Sequence, residues 1–374
     1  MTSTLIIRIT LTLVLIASLP GTGGKVWSQR QASPITSSCS AEISAGVICE
    51  AANQRALEIM KAGNFEAFTV VQNVHTGALI AFAASQPEKL DVNSQVLPLS
   101  VVKLLLAASW WDNAQPNTQF DSYRGATDTR KPKERMVTIH EMLVGGSDNA
   151  GRLAARALRK SVGTDTVLRD LNRYGFGNGT DFQPAGGFWK ELAGQYENRL
   201  TLMPGLVLLN NSTSDTTWAD TLSLGETNFK VTGLQISRFL QAIGNNGVML
   251  QPVSRDRASG KYSGGGAIRV MKADTARQLQ RAMRDTVQRG TARGIANALA
   301  DSGWTMGGKT GTGPGPAPIG PQSDGWFAGL VFDPQGHARF TVATFVRHGG
   351  TGGGNAARIS AELARHLIGS ASAH

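Results

Sequence analysis

Residues 303–310, GWTMGGKT, continue as GTGPGPAP to Pro318, and the reading of this stretch decides the fold. Gly303, Gly308, Lys309 and Thr310 satisfy every fixed position of the phosphate-cradling pattern G-x-x-x-x-G-K-[ST]. A phosphate loop, however, follows a strand and opens a helix, whose free backbone N–H groups point at the anion. Here Pro314, Pro316 and Pro318 follow in quick succession, and proline inside a helix clashes with the preceding turn. Residues 304–312 therefore read as a strand running into a Gly/Pro loop. Lys309 is expected to meet a ligand other than a nucleotide.

Around this strand lie others. Residues 325–332 (GWFAGLVF) and 339–346 (RFTVATFV) read as two further antiparallel strands, and 355–367 as a closing helix. Near the other end, apolar residues recur at helical spacing over 40–60. Residues 65–84 (FEAFTVVQNVHTGALIAFAA) then switch to β-branched and aromatic runs, a hairpin with His75 exposed in its turn. Between these ends lie helical segments: LSVVKLLLAASWW, VTIHEMLVGG, NAGRLAARALRK and GLQISRFLQAIG. Residues 186–220, rich in Asn, Thr and Ser, read as irregular, and 274–289 places Leu279, Met283 and Val287 on one helix face. The expected fold is α/β of the α+β type. An antiparallel sheet is built from N- and C-terminal strands and flanked by helices, with an inserted, mostly helical lobe and the active site in the cleft between them. The main domain, 67–370, divides into a sheet lobe, about 67–96 and 265–370, and a helical lobe, about 97–264. Segments 1–28 and 29–66 precede it.

Residues 5–19 (LIIRITLTLVLIASL) are apolar apart from Arg8 and a few hydroxyls, and Pro20 with a Gly-rich segment ends the run. A basic start, a short apolar stretch and small residues near Ser28 make 1–28 a signal peptide. An uncleaved membrane anchor extending back through Arg8 is the alternative. Either way the protein is expected to be exported, periplasmic or otherwise extracytoplasmic, where ATP is scarce. Cys39 and Cys49 are the only cysteines, and in an oxidising compartment they most simply pair. The closed loop is worth roughly 3 kcal/mol or less in the chain-entropy model; two free buried thiols are the alternative. The net charge of +10, or +8 without Arg8 and Lys25, suits anionic surroundings such as lipid headgroups or wall polymers. Its basic residues are scattered rather than interleaved with aromatics, so nucleic acid is not an expected partner.

The side chains exclude some chemistries. His140-Glu141 begins like a zinc-protease helix, but Val144 holds the place of the second histidine. The six histidines are scattered, so neither a metal site nor a Ser-His-Asp triad is expected, and no cofactor is implied. A serine can instead be activated by a lysine close enough to take its proton. Ser100-Val-Val-Lys103 places the two side chains at i and i+3 of one helix face, with the serine in the first turn. Alone this spacing is weak, since about one S-x-x-K is expected by chance. Ser147-Asp-Asn149, at a turn between helices, is equally common for capping reasons. Lys309-Thr-Gly-Thr312 sits on a strand where Gly311 leaves room for a ligand to approach the backbone. Found in this order, on helix, turn and strand, the three belong together.

The sequence thereby resembles the penicillin-recognising serine enzymes, from about residue 67 to 361. The hairpin, the stretch VTGLQISRFLQAIGNNGVMLQP, and GGKTGTG with DGWFAGLV are similar to the corresponding parts of penicillin-binding protein transpeptidase domains. The resemblance implies that Ser100 is acylated by a peptidoglycan stem peptide or a β-lactam, with Lys103 as general base. Lys309 would supply the positive charge that depresses the pKa of Lys103. Ser147 would relay a proton to the leaving group, and Asn149 would bind the substrate amide and steady Lys103. Lys309, Thr310, Gly311 and Thr312 would hold the substrate carboxylate, and the backbone N–H groups of Ser100 and Thr312 would form the oxyanion hole. Only about forty residues separate the export segment from the first strand, where larger transpeptidases carry a long module. The implied activity is a D,D-transpeptidase; the alternatives are D-alanine trimming, a serine β-lactamase, or a sensor acylated without turnover. Glu197 in YENRL has the E-x-x-L form of the lactamase water-activating loop but lies too far past Asn149, and reads more simply as an exposed carboxylate.

Overall fold

The structure is a computed structural model and describes residues 49–176, 207–226, 228–251, 254–255, 262–263, 266–314 and 323–371. The export segment, Cys39 and Glu197 lie outside the described residues. Helix α1 (Glu50–Ala62) starts at Cys49, whose Sγ accepts a hydrogen bond from Ala52 N at 3.3 Å. Strands β1 (Glu66–Asn73) and β2 (Leu79–Ala84) follow as the expected hairpin. Its turn is closed by Asn73, whose Oδ1 accepts from the N–H groups of His75 (2.9 Å) and Thr76 (3.0 Å), and His75 is exposed.

A 3₁₀ turn, Leu99–Val102, runs directly into α2 (Lys103–Asp112). The two-residue strands β3 (Phe120–Asp121) and β4 (Met136–Val137) form a small hairpin before α3 (Ile139–Gly145) and α4 (Asp148–Val162). Helix α5 (Asp215–Leu224) packs on α4 and lies partly within the segment expected to be irregular. Its signals are short: Ser214 caps it by accepting from Thr217 N, and Trp218 and Leu222, four apart, are buried. The dense Asn, Thr and Ser around it hide these signals. Helices α6 (Gly233–Gly244) and α7 (Ala273–Gln288) follow, and a further helix, Thr164–Arg173, lies between α4 and α5.

Strands β5 (Thr305–Pro314), β6 (Ser323–Phe332) and β7 (Ala338–Arg347) precede the last helix, α8 (Ala357–Ala371). The sheet runs β2-β1-β7-β6-β5, antiparallel throughout, so the early hairpin joins the late strands as expected. One row reads Val70, Ala343, Ala328, Lys309 and places the lysine on the edge strand. Alternation along β1 divides the core. Phe68 and Val70 face α6, α7 and the helical lobe, while Ala67 and Val71 face α1 and α8. Both faces are covered, and so most sheet residues are buried, including the polar Thr69, Gln72, Thr341 and Thr344. Among the described residues no helix is long and apolar enough to cross a membrane.

Candidate active site

Edge strand β5 shows how the sequence builds a wall. Residues 307, 309, 311 and 313 share one face of the strand, and three of them are glycines. A Cβ on Gly307 would stand 2.9 Å from Arg284 N of α7, and one on Gly311 would stand 3.1 Å from Leu99 Cβ. Helix and 3₁₀ turn therefore close on the strand, leaving Lys309 as the one side chain projecting from this face between them. Being at the sheet edge, β5 also leaves alternate backbone groups without a strand partner, a surface to which an extended substrate can add.

The opposite wall starts from a constraint. Leu99 has φ +53°, a conformation that a branched residue keeps only when its surroundings impose it. The constraint comes from both sides. Gly225, at the C-cap of α5, lies so close that a Cβ there would meet Leu99 O at 2.4 Å, and Gly225 O accepts from Leu99 N at 3.3 Å. Gly313 of β5 presses on Leu99 Cδ2. Ser100 comes next in the chain, so its position is set by this clamp. The sequence placed it in the first turn of an α-helix; the structure places it in the 3₁₀ turn ahead of α2.

Lys103 begins α2 with no solvent exposure. Its Nζ donates to Ser100 Oγ at 2.7 Å and to Asp148 Oδ1 at 2.8 Å. Asp148 starts α4, where Gly151 lets the helix approach: a Cβ there would stand 3.1 Å from Lys103 Cε. Asn149 does not make the expected contact with Lys103; its Nδ2 donates to Asp121 O at 2.8 Å and ties α4 to the β3–β4 hairpin. The reason is rotation. Adjacent residues of a helix point about 100° apart, so once Ser147 caps α4 by accepting from Ala150 N at 3.3 Å, Asp148 faces the lysine and Asn149 the hairpin.

Lys309 is also buried, and its Nζ donates to Thr310 O at 2.9 Å. A Cβ on Gly146 would stand 3.9 Å from this Nζ, which places Lys309 beside the turn that carries Ser147. Thr310 Oγ1 and Thr291 Oγ1 are 2.6 Å apart, and Thr312 Oγ1 accepts from Gly352 N at 3.0 Å. Thr310 and Thr312 share the face opposite Lys309, Thr310 buried and Thr312, nearer the strand end, exposed. His140, set aside as a metal ligand from sequence, lies 2.9 Å from Asp285 Oδ2.

The electrostatics separate the two lysines. Burial pushes Lys103 below its ordinary pKa; the charge and hydrogen bond of Asp148 push it back up, Arg152 lowers it and Glu226 raises it. Burial brings Lys309 down to about 7, with the charge of Lys103 adding and Asp148 opposing. The two buried amines are close enough for their charges to disfavour one another.

A serine hydroxyl bonded to a buried amine, faced by a second buried amine on a strand edge, suits acyl transfer to serine from a substrate that carries a carboxylate. The chain belongs to the penicillin binding protein transpeptidase domain family, whose model matches residues 67–368. It is similar in structure to a peptidoglycan glycosyltransferase from Burkholderia ambifaria, with TM-score 0.65 and 18% identity over 86% of this chain and 96% of that one. Penicillin-binding protein A from Mycobacterium tuberculosis superposes with TM-score 0.66 and 16% identity over 86% and 79% of the two chains. Penicillin-binding protein 3 of the same organism, complexed with aztreonam, gives 0.62 and 21% over 85% and 76%. At these identities the likeness is one of fold. No curated protein sequence matches the chain.

Proposed function

We propose that this protein is an exported, penicillin-binding serine D,D-transpeptidase that acts on peptidoglycan stem peptides through an acyl-enzyme at Ser100. The observation that carries this reading is the contact between the buried Lys103 amine and Ser100 Oγ at 2.7 Å. When Lys103 is neutral the bond reverses and the hydroxyl donates to the amine. Ser100 Oγ then attacks the scissile carbonyl while its proton passes to Nζ. Backbone N–H groups of Ser100 and Thr312 receive the oxyanion, an interaction typically worth about a hundredfold in rate per donor. Ser147 passes a proton to the leaving nitrogen, Asn149 binds the substrate amide, and Lys309, Thr310, Gly311 and Thr312 receive the carboxylate. A ceftriaxone acyl-enzyme of the Mycobacterium tuberculosis protein A supports β-lactams as ligands that stand in for the stem peptide. Export by residues 1–28, a Cys39–Cys49 bond and association with anionic wall or membrane surfaces belong to the same proposal.

Intact-mass spectrometry tests it. The protein should gain one penicilloyl group that persists for minutes or longer, and Ser100→Ala should gain none; an adduct on another serine would sink the assignment. Rapid penicillin turnover would establish a β-lactamase instead, and a lasting adduct without activity on any stem peptide would establish a sensor.

A further inference from the structure

We propose that Asp148 is the positioning residue of the general base, so that Ser100 Oγ, Lys103 Nζ and Asp148 Oδ1 form a hydrogen-bonded relay in which the proton moves between serine and lysine while the carboxylate stays ionised. The inference rests on the transpeptidase reading and deepens it, for the sequence gives Asp148 no role beyond its place between Ser147 and Asn149. The geometry is direct: the amine is fully buried, and its two side-chain partners are Ser100 Oγ at 2.7 Å and Asp148 Oδ1 at 2.8 Å. A neutral amine has two N–H donors and one lone pair, and it turns freely about its last bond. Holding one N–H on a carboxylate restricts that rotation and lets the lone pair be turned to the serine hydroxyl.

The proton balance then closes. As the bond from Ser100 Oγ to the carbonyl carbon forms, the hydroxyl proton moves to Lys103 Nζ and leaves an ammonium. Asp148 stays ionised and stabilises that ammonium until the proton goes on to the leaving nitrogen. The other charged groups facing the amine are Arg152 on α4, Glu226 just after α5, and Lys309 on β5. Arg152 is engaged with Asp220, and Lys309 with Thr310 O. Asp148 is the carboxylate bonded to the amine, and it raises the lysine's pKa against burial. A half-exposed aspartate at the start of a helix also has a bland role, favourable contact with the helix dipole. That role affects stability and leaves the protonation of Lys103 untouched.

The test is the rate of Ser100 acylation by a fluorescent penicillin between about pH 5 and 9, with melting temperature measured alongside. Removing the carboxylate destabilises the ammonium, so Lys103 loses its proton at lower pH. The acid limb in Asp148→Asn and Asp148→Ser should move down by about one pH unit. The plateau should fall by about tenfold, less than when a catalytic histidine loses its aspartate, because lysine has no tautomer to be held. Asp148→Glu should keep the limb near its wild-type place. A limb that stays put in both neutral variants would overturn the relay, whatever happens to stability, and would leave Ser100 and Lys103 in their roles. Absence of a Ser100 adduct in the wild type would overturn the transpeptidase reading and the relay with it.

Discussion

On the helical wall of the cleft, Lys103 is fully buried and bonded to a carboxylate; on the sheet wall, Lys309 is buried almost as deeply and bonds a backbone carbonyl. Burial alone would discharge both. The carboxylate makes the difference: it supports a positive charge on Lys103, the charge that the proposed proton transfer from serine would create. Lys309, without that support, sits near the point where it is half charged at neutral pH. In the proposed function an incoming substrate carboxylate would supply the missing partner. The two walls thus hold the same functional group in two electrostatic settings, one suited to exchanging a proton and one to capturing an anion.

The largest effect should come from the helical wall. Lys103→Ala should slow acylation by about a hundredfold or more, the usual contribution of a general base, with the fold kept. Equal loss in a fluorescent-penicillin assay for Lys103→Ala and Lys309→Ala would erase the division of labour. Lys309→Ala should cost roughly tenfold to a hundredfold in kcat/KM, the worth of a hydrogen bond to a charged group, and mostly through KM. The pH dependence carries the sign. Lys309 is charged below about 7 and neutral above it, so affinity for a carboxylate-bearing stem peptide should fall as pH rises through 7. Affinity for the same peptide with its terminal carboxylate esterified should stay flat. A flat profile for both would show that Lys309 does not meet the carboxylate.

A smaller effect should come from the clamp behind the nucleophile. Gly225→Ala forces a methyl group toward Leu99 O at 2.4 Å while Gly225 itself holds φ +68°. The change should cost about 1–3 kcal/mol of stability and slow acylation by misplacing Ser100. Gly146→Ala gives the control at the same φ of +68°, where the nearest atom is a side-chain methyl at 3.3 Å. If both variants acylate alike, Leu99 does not position the serine.

The sheet was legible because its signals are local. Prolines after Gly308-Lys309 rule out a helix, and the Asn73–Gly77 turn marks the first hairpin. The three glycines alternating with Lys309 are equally local, but the helix and the turn that close on Gly307 and Gly313 come from distant parts of the chain. The φ of Leu99 was not legible, since it is imposed by Gly225, which lies far along the chain and arrives only with tertiary packing. The choice between Asp148 and Asn149 was hidden for a similar reason. Both are polar, both suit a first helical turn, and only the docking of α4 on Lys103 and on the β3–β4 hairpin decides which one faces the amine.

That choice gives the smallest and most discriminating test. Asn149 spends an N–H on Asp121 O, joining the start of α4 to a hairpin of two-residue strands. Asn149→Ala removes this bond and leaves a half-buried carbonyl that water can reach, so the loss of stability should be about 1 kcal/mol. Acylation should fall by a few-fold at most, through a looser α4 and a lost contact to the substrate amide. The acid limb of the acylation profile should not move, because no charge beside Lys103 has changed. Asp148→Asn, one position earlier, should do the reverse, with little change in stability and a displaced limb. If Asn149→Ala displaces the limb as far as Asp148→Asn does, the amine is held by the packing of α4 as a whole, and the contrast between the two lysines loses its electrostatic basis.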